Sequence, residues 1–468
     1  MMKKLIALLA VLCIALGCLA GCQSDTPEQT GTTTVPVTGD VTEGTGDAAA
    51  AEWVDYAAEA KLDMSSNTAK QKVTVKTYVD GDTTHFNVPS TIAAGGTLKA
   101  RYLAVNTPES TGQIQEWGKK ASGFTRSRLE SAEEIYIESE DGNWNVDSTG
   151  SRYLLWIWYR PSGTTEFRNL NVELLQEGLS VASSYGGTRY GEICEKAIQQ
   201  AKNNKLHMHS GEKDPDFYYG AAVPLTLKEL RTNIEFYNNM KVAFEGVVSY
   251  NNAQTAYVEE YDSETDTYYG MSVYYGYNLN GAGLEVLTPG NRVKIVGSVQ
   301  YYETGGTWQV ADIEYSVMRP DDPDNIALIS SGHEPANRLT SGDKFKNGKM
   351  DIEVPVEMGS EETTVKTFDY GNLILSTSIS MENLKIEKIS TTTNEDSSMK
   401  GAMTFTCRTT DGMIVSVRTV VLYDSNNVVI TKDKYEGRTI NVKGIVDFYT
   451  HTGYQLKVFT ADDITIVG

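Results

Sequence analysis

A carboxylate at Asp82, a guanidinium at Arg101, an amide at Asn106 and a second carboxylate at Glu109 lie within one short stretch. Acids beside an obligate cation suit a hard metal, a general base and a phosphate. Two strands must position them. Val73–Val79 alternates apolar and polar residues and then breaks at Asp80-Gly81-Asp82-Thr83, which predicts a strand, a turn and a returning strand over His85–Val88. Arg101 opens a second apolar strand that stops at Thr107-Pro108-Glu109, because Pro108 lacks an N–H and holds Thr107 extended. Singly, Asp82 also reads as a turn cap, Glu109 as a solvated acid, and the arginines as members of surface ion pairs. Together, and in this order, they read as a site.

The following stretch is rich in strands, with its helices late. An amphipathic helix is predicted over Glu116–Leu129, strands over Glu134–Glu138 and Tyr153–Tyr159, and helices over Asn169–Glu177 and Glu192–Lys205. Asp147 through Arg152, Gln176-Glu177-Gly178-Leu179, Ala197–Ala201 and Lys205-Leu206 complete an ordered set with the residues above. From about Lys72 to Ser210, roughly a third of the chain, this set resembles the thermonuclease (staphylococcal nuclease) family. The resemblance implies an OB-type five-stranded barrel with three helices and hydrolysis of phosphodiester bonds.

That reaction must hold water in line, neutralise negative oxygens and remove a proton. By resemblance, Asp82 and Asn106 hold Ca²⁺ with the Thr107 carbonyl, Glu109 is the general base, and Arg101 and Arg152 clamp the phosphate. Tyr185 lies on the substrate side. Three positions depart from the family pattern. Asn106 stands where Asp is usual, removing one formal charge from the metal set. Thr149 replaces a Tyr, and an added Ser151 separates Gly150 from Arg152. Ser183 replaces the first of two substrate-side tyrosines. A catalytically silent nucleic-acid binder is the alternative that these departures open.

The chain has 468 residues and a net charge of −21, which argues against a general polyanion binder. The charge is uneven, since residues 70–212 hold 16 Lys/Arg against 17 Asp/Glu. Lys3 and Lys4 precede an apolar run, Leu5–Leu16, that is short for a membrane span. Leu19-Ala20-Gly21-Cys22 resembles a bacterial lipoprotein signal, so residues 1–22 are expected to direct export and Cys22 to carry the lipid. The expected location is the outer face of the cell membrane, or outside the cell. Residues 23–50, rich in Thr, Gly and acid, predict a flexible tether, and 48–61 a short helix. Beyond Cys22 only Cys194 and Cys407 remain once the signal is removed, so no disulfide framework is implied.

The C-terminal half contains a repeat: Val293–Gly306 matches Ile440–Gly453 at an offset of 147, with Gly297, Val299 and Tyr302 matching Gly444, Val446 and Tyr449. Strand, bend at Gly and strand again read as OB-like barrels over 222–320 and 366–468, while the Pro320-Asp321-Asp322-Pro323 region and the rest of 321–365 read as a linker. The expected fold is mainly β with some α: a nuclease-like barrel over 51–215 and two further OB-like barrels. Tyr250, Tyr257, Tyr274 and Tyr275 are candidates to stack on bases of single-stranded or unpaired DNA or RNA. The acidic balance of 222–320, six Lys/Arg against twelve Asp/Glu, leaves protein or glycan as an alternative ligand.

Overall fold

The computed structural model describes residues 53–303, 305–394, 397–450 and 452–467. The lipoprotein signal, Cys22 and the tether lie outside the described residues. Four helices and eight strands build the first barrel region. They are helices α1 Tyr56–Glu59, α2 Gly118–Glu130, α3 Leu170–Gln176 and α4 Gly191–Asn203, with strands β1 Lys70–Asp80, β2 Thr83–Asn87, β3 Thr97–Tyr102, β4 Val105–Asn106, β5 Ala132–Glu138, β6 Tyr153–Pro161, β7 Arg168–Asn169 and β8 Val181–Ala182. Strands β3-β2-β1-β5-β6 are neighbours in that order, and a parallel pairing of β3 with β6 closes the ring. The alternation read over Val73–Val79 buries Val73 in the barrel, with Phe86, Leu98, Leu155 and Ile157 beside it. The helix expected from residue 48 is one turn only within the described part, and Trp53 stays about half exposed because Ala57 and Ala60 supply its packing face instead.

The second barrel uses β9 Val223–Pro224, β10 Lys241–Asn251, β11 Thr255–Asp262, β12 Thr267–Tyr274, β13 Arg292–Tyr302 and β14 Thr307–Ala311. Its ring runs β10-β11-β12-β14-β13 and closes from β13 to β10. The third repeats this order with strands 378–391, 403–408, 414–419, 453–458 and 439–449. Numbered within each barrel, all three rings read first, second, third, fifth, fourth, and back to first. The sequence repeat falls on the fourth strand of the second and third barrels and the turn after it.

The 321–365 stretch is not an unstructured linker. It carries strands 327–330, 338–339 and 349–355, a helix over 342–347, and the start of strand 363–369, which pairs with 349–355. The reason is legible in Met350–Val354: its alternation buries Ile352 and Val354 in the second core. The barrels are joined by specific ties. Glu259, buried in the second, accepts from the Ser378 N–H at 2.6 Å, the Ser378 hydroxyl at 2.8 Å and the Ala336 N–H at 2.7 Å. Arg231 donates to the carbonyls of Gly270 at 3.1 Å and Leu375 at 3.3 Å.

Candidate active site

The β1–β2 turn presents the first acids. Gly81 is required there, because a Cβ would stand 2.8 Å from the Thr107 side chain and 2.9 Å from Ala121. The Gly81 carbonyl accepts from the Thr125 hydroxyl of α2 at 2.6 Å, and the Asp82 carbonyl from the Tyr102 N–H of β3 at 2.9 Å. The turn is thereby locked between a helix and a strand.

Asp82 is buried, and its carboxylate has three partners. Thr83 donates its hydroxyl at 3.0 Å and Thr107 its N–H at 2.9 Å, while the Arg101 guanidinium pairs with the same oxygen as Thr83. A second nitrogen of Arg101 donates to the Asn106 side-chain oxygen. One guanidinium therefore bridges the acid and amide expected to ligate a cation. Asn106 is exposed on β4, which pairs with β8, and its N–H reaches the Ser180 hydroxyl at 2.9 Å.

Glu109 is exposed on the loop after Pro108. The loop is closed by a reciprocal pair: the Glu109 N–H donates to the Gln115 side chain at 3.0 Å, and the Gln115 N–H to the Glu109 carbonyl at 2.9 Å. Gly118 lets α2 begin against that carbonyl, which a Cβ would strike. Three residues past Glu109, Gly112 exchanges hydrogen bonds with the Gln300 side chain of the second barrel at 3.3 and 3.2 Å.

Asp80 belongs to this site, and its role was missed in the sequence, where it reads as half of a turn. The signal was the second acid of the Asp-Gly-Asp triplet. Its carboxylate accepts from the Asp82 N–H at 3.2 Å. Burial first, then the charges of Asp82 and Glu109, push its pKa up to about 7. The rise records first a carboxylate removed from water, and then the like charges of Asp82 and Glu109 beside it.

Arg152 is placed differently from Arg101. Its Nε donates to Asp147 at 2.7 Å within its own loop, and hydrogen bonds from Thr149 and then from Arg152 hold Asp147 down at about 2. Among the described contacts, none joins Arg152 to Asp82, Arg101 or Glu109. The added Ser151 is absorbed by a hydroxyl contact to Thr149 at 2.6 Å in a turn where Gly150 has φ +69°. Arg152 still enters β6 directly beside β3, where Tyr153 pairs with Ala100 and Leu154 with Arg101. Strand alternation extended by one residue puts Arg152 on the Arg101 face. Tyr185 is half-buried, packs against the first core, and its carbonyl closes a turn with Thr188; no described contact joins it to the acids.

The expected metal donors are all hard oxygens. Among the described residues no group of three or more His, Cys, Asp or Glu side chains forms a metal cage, and the expected set has only one ionised member. Other features fit a cation. A positive group already sits between Asp82 and Asn106, the neighbouring Asp80 is starved of counter-charge, and the Thr107 hydroxyl is buried with no hydrogen-bond partner among the described residues.

The tyrosines expected to stack on bases are mostly spent elsewhere. Tyr257 and Tyr275 are buried, and Tyr250 stacks on Phe459 of the third barrel at 4.1 Å between centroids. Strand alternation fixes which face a residue takes but not which neighbour covers that face. Of the four, Tyr257 and Tyr274 line the open space between the barrels, Tyr257 with only 7% of its surface exposed.

Residues 99–210 match the family model described as Staphylococcal nuclease homologue. Asp80 and Asp82 precede the matched stretch and join it through the pairing of β2 with β3. The chain thus carries a nuclease-like domain of the staphylococcal nuclease family, followed by further barrels of OB-like type.

Proposed function

We propose that this protein is an exported, lipid-anchored, Ca²⁺-dependent nuclease that hydrolyses phosphodiester bonds of DNA or RNA. The observation that carries the reading is the Arg101 bridge from Asp82 to Asn106, set beside the Glu109 loop on the matched domain. A guanidinium that spans two oxygens there has the shape and charge to take a phosphate.

In this reading Glu109, exposed and free of ion pairs among the described residues, takes the proton from the attacking water. The water oxygen bonds to phosphorus, the opposite P–O bond breaks, and the departing oxygen takes its proton from solvent water. Arg101 exchanges its acceptors for phosphate oxygens, and Arg152 reaches the same group from the adjacent strand. Asp82, Asn106 and the Thr107 carbonyl would hold Ca²⁺, which supplies positive charge against the phosphate. Asp80 adds negative potential to that position, and Tyr185 flanks the nucleotide. Lipidation at Cys22 would tether the module to the outer membrane face.

Release of acid-soluble nucleotides from DNA is measured with Ca²⁺ or with chelator, for wild type and Glu109→Gln. A loss of about 10²–10⁴-fold in the variant is expected for a missing general base. Equal rates for the two proteins would remove Glu109 from the chemistry. A second reading, a non-catalytic binder, draws on Asn106 in place of an acid and on Arg101 occupying both donors. It predicts oligonucleotide affinity with no turnover at millimolar Ca²⁺.

A further inference from the structure

A cavity of about 1250 Å³ opens where the three barrels meet. A site for one small molecule usually occupies about 300–1,000 Å³, so this space suits a longer ligand. The first barrel lines it with Tyr78, Ser110, Lys119 and Arg126, the second with Tyr274, Gln300, Tyr301 and Trp308, and the third with Phe448, Tyr449 and Lys457. Its wall begins at the candidate base, since Ser110, Thr111 and Gly112 directly follow Glu109. The Gln300–Gly112 pair stitches that loop to the second barrel.

Two properties of the walls define the ligand. The first is exposed aromatic surface in a concave place. Tyr301 is 47% exposed and Tyr449 46%, and Trp308 pairs edge-on with Tyr301 at 5.1 Å. The second is charge. The chain carries −21 overall, yet the cavity holds Lys119, Arg126, Arg231 and Lys457 against Glu303 and Asp447. Arg126 is paired with Glu303, and Arg231 is taken up by carbonyls. Lys119 and Lys457 make no ion pair or hydrogen bond among the described residues, and Lys119 is half-buried. Among the described residues the half-buried Lys119 ammonium has only the charge of Glu303 near it, which Arg126 already pairs, so an arriving anion stabilises it. Planar groups for the rings and anions for the lysines, along a track that starts at a hydrolytic base, describe a single-stranded polynucleotide.

We propose that the junction of the three barrels is the track for the single strand flanking the cleaved bond: Tyr301, Trp308 and Tyr449 stack its bases, and Lys119 and Lys457 meet its phosphates. The proposal rests on the nuclease reading for its direction, but it is testable by binding alone.

The full chain is titrated into a fluorescein-labelled thymidine 12-mer in chelator, and anisotropy is read for wild type, Tyr301→Ala with Tyr449→Ala, and Lys119→Met with Lys457→Met. Tyr423→Ala, exposed and outside the cavity, serves as control and keeps wild-type affinity. Each lost stack raises Kd about tenfold or more. The lysine pair lowers the slope of log K against log salt by about 1.4, the value for two single-strand phosphates. With Ca²⁺ present, the preference for the 12-mer over a thymidine dinucleotide falls at least tenfold in the aromatic variant. Affinity and salt slope unchanged in both cavity variants overturn the track. Absence of turnover on both substrates, with binding still lost in those variants, overturns hydrolysis and leaves the track standing.

Discussion

Replacing Asp80 by Asn isolates the cost of burying a carboxylate beside other acids at the β1–β2 turn. In the cation-free protein the Asp80 pKa stands at about 7, against 3.8 in an exposed chain. A carboxyl with a raised folded pKa keeps its proton on folding at pH values where the unfolded chain has released it. Its contribution to stability is therefore full below about pH 4, declines as the pH rises, and is gone above about pH 7. A rise of about 3 units at about 1.4 kcal/mol each gives about 4 kcal/mol as the upper bound. Asn keeps the oxygen that accepts the Asp82 N–H but cannot ionise. In chelator, guanidinium unfolding followed by the fluorescence of buried Trp156 and Trp158 should show wild type losing up to about 4 kcal/mol relative to Asp80→Asn between pH 4 and 7.5. Added Ca²⁺ should recover much of that loss in wild type and less in the variant. Superimposable pH–stability curves in chelator would refute the argument, because no charge would then have been removed.

Asn106→Asp restores an ionised donor to the proposed cation set, so half-maximal activity should need about tenfold less Ca²⁺ in a titration of turnover. Gln300→Ala removes both hydrogen bonds to Gly112 and should raise KM or lower kcat about tenfold on DNA, while the melting temperature moves by no more than a few degrees, since among the described residues its side chain hydrogen-bonds only that loop. Glu259→Gln leaves buried donors at Ser378 or Ala336 short of an acceptor. It should destabilise the tie between the second and third barrels by about 1–3 kcal/mol in denaturant unfolding.

The proximity of Asp82, Arg101 and Asn106 was legible because these residues are local in the chain. Asp82, Arg101 and Asn106 sit on consecutive strand ends and meet through one guanidinium, while Glu109 was added to them by the family resemblance. Asp80 was not read as a site member, since what distinguishes it is burial against Asp82 and Glu109, and burial is set by α2 closing over Gly81. The second and third barrels were readable from alternation and from the repeat on their fourth strands. The hairpin over 349–369 was hidden by the Gly- and acid-rich residues around it, although Met350–Val354 alternates as a strand should. Contacts between barrels left no trace in sequence. Tyr250 meets Phe459 and Gln300 meets Gly112 across long separations, and no periodicity in one segment encodes its neighbour in another.

The Gln300–Gly112 exchange means that the segment bearing Glu109 takes part of its shape from a barrel encoded nearly two hundred positions downstream. Excising the nuclease-like region by itself would release that segment from one of its anchors. Measurements made on such a fragment would describe a looser Glu109 loop than that of the intact chain. In this protein the appended barrels are therefore part of the scaffold that holds the Glu109 loop in place.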